Sequence, residues 1–179
     1  MEASALTRIR AFELSPARFV QLASLNAFLL WLIVGTGAAV RLTDSGLGCS
    51  HWPGCERGAP LPERNVHAVV EFGNRLVGAV VITVTLLTWL AARRTPGLPT
   101  WARRLALGVL LGALAQAPLG YLAVASDLKW PVVMAHLLLS IALLAGAVVL
   151  AAAVWAGTVA LAALFFRPPR SLLPGQHLN

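Results

Sequence analysis

Charge is what this sequence has least of. Only 12% of its 179 residues are Asp, Glu, Lys or Arg, whereas a soluble domain carries about 25%. The deficit is concentrated in long stretches with almost no charge, which excludes an ordinary soluble domain. Acidic residues are scarcer than basic ones, seven against fourteen, for a net charge of +7. That excess does not indicate a nucleic-acid partner, because the arginines lie between apolar runs and form no face of their own. Cysteine is limited to Cys49 and Cys55, with no C-x-x-C pair. This excludes a disulfide-rich scaffold and weakens a quinone-linked thiol oxidoreductase.

What the chain does have is four apolar runs and a mean hydropathy of +0.77. Residues 19–40 contain no charge, residues 66–92 only Glu71 and Arg75, and residues 105–125 and 131–155 none. About 20 residues cross the hydrocarbon core as a helix, so each run is long enough. Buried core helices would be joined by more polar sequence than is found here. The fold class expected is all-α, an integral membrane four-helix bundle. Residues 1–18 form an N-terminal segment without a small-residue cleavage site, so the first span is read as retained. Residues 156–179 are read as a C-terminal tail.

Orientation follows from Lys and Arg. Nine basic residues, Arg8, Arg10, Arg18, Arg93, Arg94, Arg103, Arg104, Arg167 and Arg170, fall on one side; four, Arg41, Arg57, Arg64 and Lys129, fall on the other. Both termini are therefore expected in the cytoplasm of a cell carrying this protein in its plasma membrane, as in bacteria or archaea. Residues 41–65 and 126–130 then face outward. Both cysteines lie in that first outer segment, Cys-Ser-His-Trp-Pro-Gly-Cys. An oxidising compartment permits a disulfide, and Pro53 and Gly54 favour the turn that closes it. A metal site with His51 is the competing reading. It is disfavoured by the C-x5-C spacing and by the lack of a second ligand pair.

Polar groups inside a membrane span are costly and functional by default. His67, Glu71 and Asn74 are spaced i, i+4, i+7 and share one face of the second span, beside Arg75. His136 lies five residues past Pro131 in the fourth span, about 7–8 Å from its start. Helices 2 and 4 begin on the same side, so these groups converge at one level. A neutral imidazole there is a natural axial ligand for heme iron; the plainer reading is a histidine hydrogen-bonded to a neighbouring helix. Gly35, Gly37, Gly108, Gly112 and Gly120 are small residues expected to let helix backbones approach closely.

The stretch from Gly35 to Cys55, GTGAAVRLTDSGLGCSHWPGC, resembles the first helix end and first outer loop of heme A synthases, which show G-x-x-x-R-L-T-x-S-G-L-x-C-x-x-W-P-x-C there. Val70-Glu-Phe-Gly-Asn-Arg75 resembles that family's E-x-x-H-R motif. Gln116-Ala-Pro-Leu-Gly120 and the Ala-His-Leu around His136 resemble its third and fourth helices.

The resemblance covers residues 20–155 and implies a Cys49–Cys55 disulfide, an essential carboxylate at Glu71 and a heme-iron ligand at His136. It implies oxidation of the C8 methyl of heme O to the formyl group of heme A, in the service of cytochrome oxidase assembly. Arg75 and Arg41 would pair with heme propionates, although an interfacial Arg41 would ordinarily snorkel. Two departures stand out. The family's other ligand histidine in this half falls on Asn74. The family also has a second four-helix half, which holds a heme b cofactor; this sequence reads as a single-half version or as an incomplete sequence. The expected partners are heme O and heme A, membrane lipid, a second copy or second four-helix half, and a heme O synthase. The alternatives are a b-type heme-binding membrane subunit and a non-catalytic oxidase assembly factor.

Overall fold

The computed structural model describes residues 13–59, 61–62 and 65–165. Arg8, Arg10, Arg64, Arg167, Arg170 and His177 lie outside the described residues. Four helices follow in order: α1 Pro16–Leu42, α2 Val66–Arg94, α3 Thr100–Ala125 and α4 Trp130–Phe165. All four are long and apolar enough to cross a membrane. The protein is a multi-pass, all-helical membrane protein.

Local chemistry sets the helix starts. Ser15 caps α1, its Oγ accepting from the Arg18 N–H at 3.4 Å, with Pro16 in the first turn. Asn65 caps α2, its Oδ1 accepting from the His67 N–H at 3.0 Å. Compared with the expected spans, α1 and α3 start earlier, so the flanking Arg18, Arg103 and Arg104 belong to helical turns. The fourth helix continues to Phe165, because residues 156–165 are apolar and contain neither a proline nor a charge to stop it. At 36 residues it is about 54 Å long, longer than the hydrocarbon core of about 30 Å.

Each helix packs against two neighbours: α1 on α2 and α4, α3 on α2 and α4. The diagonal pairs α1–α3 and α2–α4 do not touch among the described residues. The core is tiered. Near the N-terminal end Phe19, Ala23, Ala92, Ala102 and Leu150 are buried together. A middle tier joins Leu30, Val81, Val109, Ala113, Leu143 and Ala147. Gly112 sits there against Leu143, whose Cδ2 a Cβ would meet at 2.4 Å, so this glycine does allow close helix approach. Between α1 and α2, the buried Thr85 donates to Asn26 Oδ1 at 2.7 Å.

Beyond the middle tier, toward the loops, burial stops. No residue is fully buried in 31–39 of α1, 72–80 of α2, 114–122 of α3 or 131–142 of α4. This band is about 13 Å deep on α1. Gly35 and Gly37 fall within it, and no atom lies closer than 4.0 Å to a Cβ placed at either. Nothing packs within 4 Å of Gly108 either. The expectation that Gly35, Gly37 and Gly108 mark close helix approach is therefore corrected. In the band, small residues leave width where Gly112 brings backbones together.

Candidate functional site

A folded loop closes the loop end of the α1–α2 hairpin. Cys49 and Cys55 are disulfide-bonded, with Cα atoms 4.5 Å apart, and both are buried against Ala68 of α2 with Phe72 alongside. The expected disulfide is present, and a metal site at these cysteines is excluded. The Trp52–Pro53 peptide is cis. Gly48 lies directly on the first turn of α2: a Cβ there would come within 2.4–2.7 Å of the His67 and Ala68 backbone, so only glycine fits without moving the loop. At the other loop, Leu128 reaches Gly46. Trp52 stacks toward Tyr121 of α3, with ring centroids 5.5 Å apart.

Glu71 and Arg75 fasten this loop to α2. Glu71 is 4% exposed. Its Oε2 accepts from the Cys49 N–H at 2.8 Å, and its Oε1 pairs with Arg75 one turn on. Arg75 Nη1 donates to the carbonyls of His51, at 2.7 Å, and of Pro53 and Gly54. The guanidinium expected to meet a propionate is thus occupied by Glu71 and three loop carbonyls. The physical reason is proximity: the disulfide turn delivers backbone oxygens within reach of Arg75. Arg41 is exposed on the last turn of α1, as a snorkelling side chain would be.

The other predicted residues divide between two helix pairs. His67 is exposed at the start of α2, its Nδ1 3.0 Å from Ser45 Oγ. Asn74 leans on α1, where Thr36 Oγ1 donates to its Oδ1 at 2.8 Å. His136 sits on α4, six residues from the helix start, about 9 Å along the axis. Asn74, eight residues into α2, is about 12 Å along its own. Both lie within the band that has no fully buried residue, on diagonal helices whose described residues have no Cα atoms within 8 Å of each other.

His136 is where the structure leaves chemistry open. Its Nδ1 is buried and has no hydrogen-bond partner. Gly120 of α3 lies beneath the ring, so that a Cβ would stand 3.4 Å from His136 Cε1. Gln116, one turn earlier, donates from Nε2 to the His136 carbonyl at 3.1 Å and to Ser140 Oγ at 2.7 Å, while its Oε1 is likewise buried and unpartnered. Sequence reasoning treated Gln116 only as part of a motif. Its lone polar side chain in the middle of α3 was the available signal. Thr36 and Ser45 gave none, since single hydroxyls in spans are common. No cluster of three His, Cys, Asp or Glu side chains suited to a bare metal ion occurs among the described residues.

The family model for cytochrome oxidase assembly protein matches residues 20–171. The chain belongs to that family. A heme A synthase of Symbiobacterium thermophilum is 38% identical over 102 residues, 55% of this chain and 32% of that protein. One of Geobacillus thermodenitrificans is 36% identical over 107 residues, 59% of this chain and 33% of the relative. A protoheme IX farnesyltransferase of Haloarcula marismortui is 36% identical over 63 residues, 35% of this chain and 13% of that enzyme. The matched region spans about a third of the length of the heme A synthases. No solved structure matches the chain.

Proposed function

We propose that this protein is a heme A synthase-type oxidoreductase, or the substrate-handling half of one, with heme O as substrate and heme A as product. The observation that carries the reading is the intramembrane His136 of α4, in a band with no fully buried residue, in a chain of the cytochrome oxidase assembly family. The residues present fit a heme. The His136 imidazole lies against Gly120, and a Cβ at Gly35 or Gly37 would meet no atom closer than 4.0 Å. The diagonal faces of α2 and α4 stand apart. His136 would hold the iron through Nε2. The porphyrin supplies the oxidative chemistry when bound.

The chain's own contribution is to bind, orient and cover. Asn74 lies across from His136, but its carboxamide oxygen is taken by Thr36, and a carboxamide is a poor iron ligand. Asn74 would therefore offer no strong second ligand to an iron held by His136. This disfavours a b-type electron carrier, which would use two. Glu71 and Arg75 hold the disulfide loop over the mouth of the band, so that Glu71 acts by positioning the loop at the reacting edge. His67, tied to Ser45, supports the same loop. Arg41, exposed on the last turn of α1, is the other expected cation for a propionate.

Both termini are proposed to face the cytoplasm, by nine basic residues against four. Reporters fused at Pro62 and at the C-terminus should then lie on opposite sides. The apolar faces outside the bundle meet lipid, a second copy or a second four-helix unit. A heme O synthase is the expected source of substrate, and the four apolar helices fit a cell-membrane location.

The experiment is to co-express the full chain with a heme O synthase and extract the hemes. Appearance of the formyl product supports the enzyme. If heme O alone accumulates while the purified protein carries it, the reading reduces to a heme-binding subunit. A protein that binds no heme leaves a non-catalytic assembly factor.

A further inference from the structure

We infer that Gln116 is a positioning residue for His136: its Oε1 accepts from the His136 Nδ1–H and so fixes the tautomer that presents Nε2 to iron. The inference rests on His136 being the heme ligand. Two buried polar atoms in the band lack partners, His136 Nδ1 and Gln116 Oε1. They belong to residues already in contact, since Gln116 Nε2 donates to the His136 carbonyl at 3.1 Å. Their chemistry is complementary. A carboxamide oxygen can only accept, and an imidazole nitrogen can donate if it carries the proton. Leaving both unpaired in an apolar span is costly, and pairing them satisfies both.

The pairing has a chemical consequence. A neutral imidazole carries one proton, and a proton held on Nδ1 leaves the lone pair on Nε2. Outer hydrogen bonds of this kind fix the orientation of a ligating histidine and raise its basicity. Ser140 completes the arrangement. Its hydroxyl donates to the His136 carbonyl at 3.0 Å and accepts from Gln116 Nε2 at 2.7 Å, which anchors the carboxamide with Oε1 as its free end. Gly120, one turn along α3, keeps the space under the ring open. On the opposite side of the band Asn74 Oδ1 already accepts from Thr36 Oγ1.

The test uses the purified full chain in detergent, loaded with protoheme IX. Gln116→Met keeps the length and removes the acceptor, and Gln116→Glu keeps an acceptor. Heme affinity is read by titration, and the iron–histidine stretch of the ferrous form by resonance Raman. Gln116→Met should weaken heme binding about ten- to a hundredfold and lower the stretching frequency of the heme that remains bound. Gln116→Glu should restore both toward the unmodified values or beyond. If Gln116→Met binds less heme but its stretch is unmoved, Gln116 is a packing residue and the inference is wrong. Equal behaviour of both variants and the unmodified protein also overturns it. His136→Ala separates the two levels: if that variant binds heme with an unchanged spectrum, the assignment of His136 itself has failed.

Discussion

The two hairpins of this bundle are built alike and finished differently. In the α1–α2 hairpin the polar groups near the loop end are paired: Glu71 with Cys49 and Arg75, Arg75 with three loop carbonyls, Asn74 with Thr36, His67 with Ser45. The α3–α4 hairpin turns in a few residues, with Asp127 and Leu128 at positive φ. It leaves His136 Nδ1 and Gln116 Oε1 without partners. A polar group buried without a partner is costly, and these two are complementary, so in the proposed reading this hairpin orients the iron ligand. In the same reading the first hairpin is the lid, with Glu71 and Arg75 as its latch.

The largest break in that comparison comes from the latch. Glu71→Ala removes a buried ion-pair partner and leaves the Cys49 N–H unpaired. It should destabilise the protein by about 3–5 kcal/mol, read as a lower denaturation midpoint together with faster proteolysis in residues 43–65. Gly48→Ala comes next, because the added methyl meets α2 backbone and not a flexible side chain. It should cost about 1–3 kcal/mol and loosen the same loop, read in the same two assays. Replacing Cys49 and Cys55 together by Ser should cost about 2 kcal/mol for so short a ring, seen as a lower midpoint under non-reducing conditions. In the unmodified protein, thiol labelling should be negligible until a reductant is added. The smallest effect lies outside either loop. Thr85→Val removes the hydrogen bond to Asn26, worth about 0.6 kcal/mol in a membrane, and should leave heme binding unchanged.

Much of this was legible in the sequence, for physical reasons that differ by residue. Four spans were readable because hydrocarbon admits only long apolar helices. The disulfide was readable from two cysteines flanking a Pro-Gly turn in the loop between the first two spans. Glu71, Asn74 and His136 announced themselves as polar groups in apolar helices. Their partners did not. Nothing in the spacing of Arg75 says that it will meet the carbonyls of residues 51, 53 and 54, because that depends on how the loop folds back over α2. Gly35 and Gly112 look alike in sequence, yet one faces open space and the other a leucine. The end of α4 was missed because residues 156–165 contain no stop signal and lie next to a polar tail.

In the proposed site one hairpin supplies a strong iron ligand and the other does not. The spin state of the ferric, heme-loaded protein tests this most directly, by electron paramagnetic resonance and visible absorption. The prediction is a high-spin signal, five-coordinate or water-ligated, with conversion to a low-spin, six-coordinate form in Asn74→His. A low-spin signal with two histidine ligands in the unmodified protein, lost in His67→Ala, would contradict it. The ring would then sit closer to the loop, with His67 as the second ligand.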